Sequence, residues 1–421
     1  MRKLLLGTTA VVGAVVMAST GAMAQGADPF RAAGPAVMSH RDLEVRVGGY
    51  FRYYYSNTTL DYANTSAANM GKSDFAQEVE LHFVANGKAA NGLRYGVAIE
   101  VQNDGVRQAT SGTNSKNSLD LDEAWGYVAG DFGQVRMGDE DPVWALMSQG
   151  QVANFASGGL DGDFYDSVAH NRPVLSQPSD AGDATKIIYM SPQFAGFDFG
   201  ASFAFNTGEG PLNGCTSSNT SCDTLASTSS NTIAQRRNEI NAVIRYRGSF
   251  SGVGIGATAG YFGADVVKNT SGVSADRINV GQLGLQLSAY GFLVGGQYLF
   301  GDAGYGFYTP RLKVAGDDRN FEAFNVGLSY TMGAFTVGTQ YGETRSVGVQ
   351  SRTVTTGGRT DKGWSIGGTY RVAPGIEYVA EYTSFKIEEA GYNFSTRAAS
   401  GTTANNSVDG QVFLTGFRFA F

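Results

Sequence analysis

The chain has 421 residues, 31 basic and 38 acidic, for a formal charge of −7; only 16% of residues are charged, against roughly 25% in ordinary soluble domains. Glycine (58) and aromatics (12%) are abundant and proline (9) is scarce, yet mean hydropathy is slightly negative. That balance disfavours disorder through its aromatic load, offers nucleic acid little through its acidity, and beyond the leader contains no apolar run near the roughly 20 residues of a membrane helix.

Arg2 and Lys3 precede an apolar segment from Leu4 to Met17, and Ala22-Met23-Ala24 forms a small-residue cleavage site before Gln25. This is the pattern of a secretory signal peptide, with an apolar part too short for a retained anchor. A leader over 1–24 and one exported domain over 25–421 are expected. Residues Gln25 to Arg41 make a polar lead-in.

From Leu43 the period is two. Leu43, Val45, Val47, Gly49, Phe51, Tyr53 and Tyr55 take one face; Glu44, Arg46, Gly48, Tyr50, Arg52 and Tyr54 take the other. After a polar loop to Lys72, Phe75, Val79, Leu81 and Phe83 oppose Glu78, Glu80 and His82. Beyond the Asn86–Asn91 turn, Leu93, Tyr95, Val97, Ile99 and Val101 oppose Arg94, Glu100 and Gln102. Charge thus recurs on the parity that a soluble sandwich would bury and a membrane barrel would keep wet.

The rhythm continues as short turn, long loop, short turn. Leu119–Ala129 and Gln134–Gly138 are expected strands around the turn Gly130–Gly133, followed by the longest connection, Asp139 to Ala184. Thr185–Ser191 pairs with Phe197–Phe205, Arg237–Gly248 with Val253–Phe262, and Ile278–Ala289 with Phe292–Phe300. Phe321–Thr331 pairs with Phe335–Glu343, and Trp364–Val372 with Ile376–Phe385. A polar loop over Glu388–Val408 leads to the last strand, Asp409–Phe421. There Phe413, Phe417, Phe419 and Phe421 share one parity and Arg418 lies on the other.

These segments make about sixteen strands, an even number typical of all-β transmembrane antiparallel up-and-down barrels. A β-helix would show a fixed short repeat, which is missing. Pairing the last strand with the first would close the barrel and remove both edges. In Glu123–Ala129 the faces stay open: Trp125 and Tyr127 suit a lipid-facing girdle, whereas Ala124, Gly126 and Val128 would suit a shielded outer surface. Cys215 and Cys222, in a Ser/Thr/Asn-rich stretch of an exported chain, are expected to form a disulfide closing a small loop. Two thiols without a nearby histidine make a weak metal site.

The whole exported chain resembles the general, trimeric, sixteen-stranded porins of Gram-negative bacteria, particularly the alphaproteobacterial branch. The likeness rests on the leader, LEVRVGGYFRYYY from Leu43, NGLRYGVAIEVQ over Asn91–Gln102, DEAWGYVAGDFGQVRMGDED over Asp122–Asp141, and the terminal phenylalanine. It implies a homotrimer in outer-membrane lipid, a water-filled channel for small hydrophilic solutes and ions, and a third long loop folded into the barrel as a constriction. It also implies that Phe421 belongs to the signal read by the outer-membrane assembly machinery.

The constriction then falls within Asp139–Ala184, where Asp161, Asp163 and Asp166 cluster. Acids on an inward loop facing wall arginines would set a transverse field that tunes ion selectivity. Wall candidates by parity are Arg46, Arg52, Glu78, Glu80, Arg94, Glu100, Arg245 and Arg418. No catalytic residue, cofactor or metal is expected: there are three histidines (His40, His82, His170), no G-x-S-x-G and no phosphate loop. DGDFYD at Asp161–Asp166 does not complete a calcium-loop pattern. The rival readings are a sugar- or anion-selective channel, an adhesin, and a hydrolase using His170; a sugar channel would want a lumenal file of aromatics beyond Tyr50 and Tyr54.

Overall fold

The computed structural model describes residues 43–61, 71–103, 119–168, 171–207, 226–227, 236–266, 268–269, 275–311, 320–348, 356–399 and 405–421. Alternation becomes sixteen barrel strands: β1 (Glu44–Asp61), β2 (Ser73–Lys88), β3 (Arg94–Gln102), β4 (Asp120–Gly130), β5 (Gly133–Glu140), β6 (Ala184–Met190), β7 (Phe197–Asn206) and β8 (Arg236–Phe250). The second half is β9 (Val253–Val266), β10 (Ile278–Ala289), β11 (Phe292–Asp302), β12 (Phe321–Met332), β13 (Phe335–Ser346), β14 (Arg359–Ala373), β15 (Ile376–Glu389) and β16 (Ser407–Ala420). Neighbours are antiparallel, and β16 pairs with β1 from Tyr50↔Ala420 to Asp61↔Asp409. The ring is closed. The expected strands all recur, several running further toward the long-loop side, as β14 and β15 do. Cys215, Cys222, His40, His170 and residues 1–42 lie outside the described residues.

The outward parity is apolar. Leu283, Leu285, Val294, Val326, Leu328, Val337 and Ile366 make an exposed aliphatic band. Aromatic pairs flank it on the short-turn side (Phe292–Tyr330, Phe335–Tyr370, Tyr378–Phe417) and on the long-loop side (Tyr298–Phe300, Trp364–Tyr382). Such girdles place amphipathic rings at the two headgroup levels. The tightest turns, Ser251-Gly252 and Tyr290-Gly291, have positive φ at both residues, the conformation whose twist matches paired strands.

Residues 141–168 and 171–183 form a second layer inside the barrel. The segment carries helix α1 (Val143–Leu146) and single 3₁₀ turns at Gly159–Asp161, Asp163–Ser167 and Pro178–Ala181. Much of the buried apolar surface lies where this loop meets the wall. Trp144 packs with Phe262, Ile278, Leu299 and Phe321; Val143 and Met147 with Ile188 and Val243; Leu160 and Phe164 with Phe385 and Val412.

The wall makes room for the loop with inward glycines. A Cβ at Gly284 would collide with the Gln149 carbonyl, one at Gly295 with the Gly150 carbonyl, and one at Gly338 with the Phe155 ring. Gly327 and Gly367 stand in the same relation to Val152 and Ala156, at 2.7 Å each. Glycine at these places allows close backbone approach.

Gly284→Ala therefore sets a methyl group against backbone and should destabilise the seated loop by roughly 1–3 kcal/mol. The expected outcome is a changed, noisier single-channel conductance with barrel strand content unaltered by circular dichroism. Gly126→Ala, whose nearest non-neighbour atom is 3.4 Å away, should leave both unchanged.

Candidate functional site

The loop is fastened by side chains of the inward parity that bond its backbone. Thr258 Oγ1 donates to the Met147 carbonyl (2.9 Å), Gln282 Nε2 to that of Trp144 (2.9 Å) and Gln297 Nε2 to that of Gln149 (3.1 Å). In the opposite sense, loop amides donate to the wall: Ala156 to Thr369 Oγ1 (2.9 Å), Ser157 to Glu381 Oε2 (2.9 Å) and Leu160 to Gln340 Oε1 (2.8 Å). The returning limb is held the same way, Val174 N on Asp361 Oδ1 (3.0 Å) and Ser176 N on Thr344 Oγ1 (2.9 Å). Each bond satisfies a loop amide or carbonyl that would otherwise be buried unpaired. The wall from β7 to β15 is thus covered where the loop lies on it, leaving the arc from β1 to β5 as the wall that faces the loop across the lumen.

That arc is charged, and Arg52 joins it to the loop. Arg52 Nη1 lies 3.0 Å from Glu78 Oε2 on β2 and 3.0 Å from Asp163 Oδ1 on the loop. Its guanidinium also stacks 4.0 Å from the centre of the Tyr50 ring, and Thr58 Oγ1 donates to the Ser167 carbonyl nearby (2.9 Å). Tyr50 OH donates to either Glu78 Oε1 or Glu80 Oε2, each at 2.6 Å. His82 lies between Glu80 (2.7 Å) and Glu100 (3.1 Å). Next along, Arg136 pairs with Glu140 and stacks 4.2 Å over Trp125, whose Nε1 donates to Glu123.

The residues singled out by parity fall in different settings. Asp163 is clasped directly by Arg52 rather than held across water, and Asp166, in the same turn, is exposed. Asp161 turns into the loop and accepts from Gln151 Nε2 (2.6 Å) and Ser179 Oγ (3.0 Å). Arg46 and Arg94 stand exposed near the short-turn rim, Arg46 against Glu44. Arg418 Nη2 pairs with Glu377 at 2.8 Å. Arg245 holds Asp198 with two bonds (3.0 and 2.7 Å), and Arg247 adds a third at 2.8 Å. Phe421 exchanges two backbone bonds with Gly49, both 3.1 Å.

On β4, Trp125 and Tyr127 point inward, Tyr127 OH donating to Asn86 Oδ1, so Ala124, Gly126 and Val128 face out. Sequence reasoning missed Asp198, Arg136 and the amide-bearing wall positions. Asp198 was recoverable, since it shares the inward parity of β7 and sits opposite Arg245 in register. The amides carry no comparable signal, because Gln and Asn on an inward parity read equally as water-facing.

Comparison with known proteins gives one consistent result. A family profile described as Gram-negative porin matches residues 7–390. Among solved structures, the fold is similar to the anion-selective porin from Comamonas acidovorans (TM-score 0.55, 15% identity, 90% of this chain and 100% of that one). It is also similar to a mutant of the Rh. blastica porin (0.52, 13%, 90% and 100%) and to an outer membrane protein of Vibrio cholerae lacking its loop L8 (0.52, 13%, 90% and 99%). No curated protein matches the sequence.

One of the loop's own carboxyls gives it a pH dependence. Loss of water around half-buried Asp161 raises it to about 6, against the bonds it accepts from Gln151 and Ser179. A carboxyl freed into water titrates near 3.9, so the docked loop binds the extra proton, and its stability falls as pH climbs from about 4 to about 6. Open-channel noise should accordingly grow between about pH 4 and pH 7. Asp161→Asn should flatten that profile.

Proposed function

The chain belongs to the Gram-negative porin family, and we propose that, within its outer-membrane channel for passive diffusion of small hydrophilic solutes and ions, the arc β1–β5 sets selectivity. The observation carrying this is the charge asymmetry of the inward parity. Glu78, Glu80 and Glu100, with Asp163 and Asp166 from the loop, crowd around Arg52 and His82. On β7–β8 two arginines share the single Asp198. An acidic arc beside a basic one polarises the water between them, favouring polar solutes, and its local excess of carboxylates favours cations. In this account Arg46, Arg94 and Arg418 act at the short-turn mouth, and Asp161 acts by holding the loop's shape.

A sugar-selective channel is less well supported. The inward rings of Tyr50 and Trp125 each have one face covered by a guanidinium, which withdraws it from stacking on a pyranose. The basic pair on Asp198 is the feature that would favour an anion-preferring channel. The homotrimer, the leader over 1–24 and the disulfide Cys215–Cys222 belong to the same proposal. Small outward residues at Ala124 and Gly126 supply a face suited to a neighbouring protomer better than to lipid.

Purified protein in a planar bilayer should give stepwise conductance proportional to salt; its failure to appear would overturn the proposal. In a salt gradient, removing the charges of Asp166, Glu78 and Glu100 together should shift the zero-current potential toward anions, by roughly twofold or more in permeability ratio. An unchanged potential would remove this arc from the mechanism.

Phe421 is proposed to be read by the assembly machinery. Deleting it should lower the amount of folded, surface-exposed protein several-fold and leave the conductance of each assembled channel unaltered. Wild-type surface levels of the truncated chain would contradict this role.

A further inference from the structure

His82, Glu80 and Glu100 were separate wall residues in sequence; the sheet register makes them one cluster. His82 and Glu100 are cross-strand partners on β2 and β3, and Glu80 precedes His82 by two positions on the same face. One donor atom from each falls within 4.8 Å of the others. All three are held on paired strands, so the arrangement is rigid, and the side chains of His82 and Glu100 are less than a tenth exposed. Across from His82 on β1 stands Gly48, which places no side chain over the imidazole.

The imidazole meets a carboxylate at each nitrogen: Nε2 is 2.7 Å from Glu80 and Nδ1 is 3.1 Å from Glu100. A neutral imidazole can donate from only one of them. With the proton on Nδ1, 3.1 Å from Glu100, the Nε2 lone pair faces an anionic oxygen, and something positive must stand between the two. A proton does so in an imidazolium. A divalent metal ion can replace it, with Nε2 and the Glu80 carboxylate as ligands and Glu100 fixing the ring from behind. This is the carboxylate–histidine arrangement common at metal sites. Metal–ligand lengths of about 2.0–2.2 Å require the Nε2 to Glu80 gap to widen by a few tenths of an ångström. Glu80 is steadied by the Tyr50 hydroxyl on its other oxygen at 2.6 Å.

We infer that the lumen wall at Glu80, His82 and Glu100 is a binding site for a divalent transition-metal cation of borderline softness such as Zn²⁺, taken up in exchange for the imidazole proton. Imidazole with carboxylate selects such ions over Mg²⁺ and Ca²⁺, which prefer all-oxygen shells. Among the described residues, charged groups near the site include Glu78 and Arg52, bridged to the loop through Asp163, and Glu123 beyond Glu100. Arg52 opposes a cation and the glutamates favour it, so the site accepts one ion and not a chain of them.

The test is calorimetric titration of the folded, detergent-solubilised protein with ZnCl₂ in two buffers of different ionisation enthalpy. One ion per chain with release of about one proton is expected, since the bound ligand must be deprotonated. His82→Asn should weaken binding at least 100-fold and Glu100→Gln about 10-fold, the range for a second-sphere partner. Mg²⁺ should not compete. Zinc X-ray absorption on the wild type gives a readout independent of any variant's folding: a nitrogen/oxygen shell containing a single imidazole is expected. Sub-stoichiometric uptake, uptake insensitive to His82→Asn, or a shell with two imidazoles or with sulfur would overturn the site and leave His82 as a charged bridge between two carboxylates.

Discussion

Everything in this molecule follows from one requirement: a backbone amide in hydrocarbon must find its partner within the protein. A sheet meets it only by closing, and closure here is the pairing of β16 with β1. Once the ring is closed each strand has one face in lipid and one inside, so a single parity decides solvent for a whole strand. The aliphatic band between two aromatic levels and the polar inward rows are two readouts of that division. It also explains a composition rich in aromatics with near-neutral hydropathy.

The interior is then divided a second time. Over the arc from β7 to β15 the inward polar residues bond the backbone of 141–168 and 171–183, so glutamine, threonine and glutamate there are largely buried. Over β1–β5 the inward residues bond one another in a chain of charges ending on the loop at Asp163. One parity therefore has two energetic roles. A polar group under the loop provides a partner for a buried amide, and its loss leaves that amide unsatisfied at about 1–3 kcal/mol. A charge on the bare arc shapes the field felt by a passing ion.

The barrel was legible in the sequence because period two is a local signal, repeated strand after strand, and because a charge in lipid is costly enough to make parity reliable. In the fold Arg52 meets Glu78, His82 meets Glu80 and Glu100, Arg245 pairs with Asp198 and Arg418 with Glu377. What lay beyond reach was every relation set by the loop's path. Asp161, Asp163 and Asp166 are neighbours in sequence, yet one turns into the loop and bonds Gln151, one is clasped by Arg52 and one is exposed. The turn at Asp163–Ser167 separates them, and no periodicity encodes it. The faces of β4 were undecidable for a related reason: inward Trp125 and Tyr127 need partners, Glu123 and Asn86, that only the folded register supplies. The inward glycines, too, acquire meaning only when the loop is seen lying on them.

The fastening of the loop has a consequence for the order of events in folding. Its amides bond side chains as distant in the chain as Glu381, 224 residues from Ser157. Contacts of such separation form late, after the intervening chain has been organised. The loop can reach its seat only when the strands from β7 to β15 already stand in register. Narrowing of the lumen is therefore a late step of assembly, and an unfinished sheet would enclose a wide, unlined cavity. The finished aperture is in that sense a record that the second half of the barrel closed correctly.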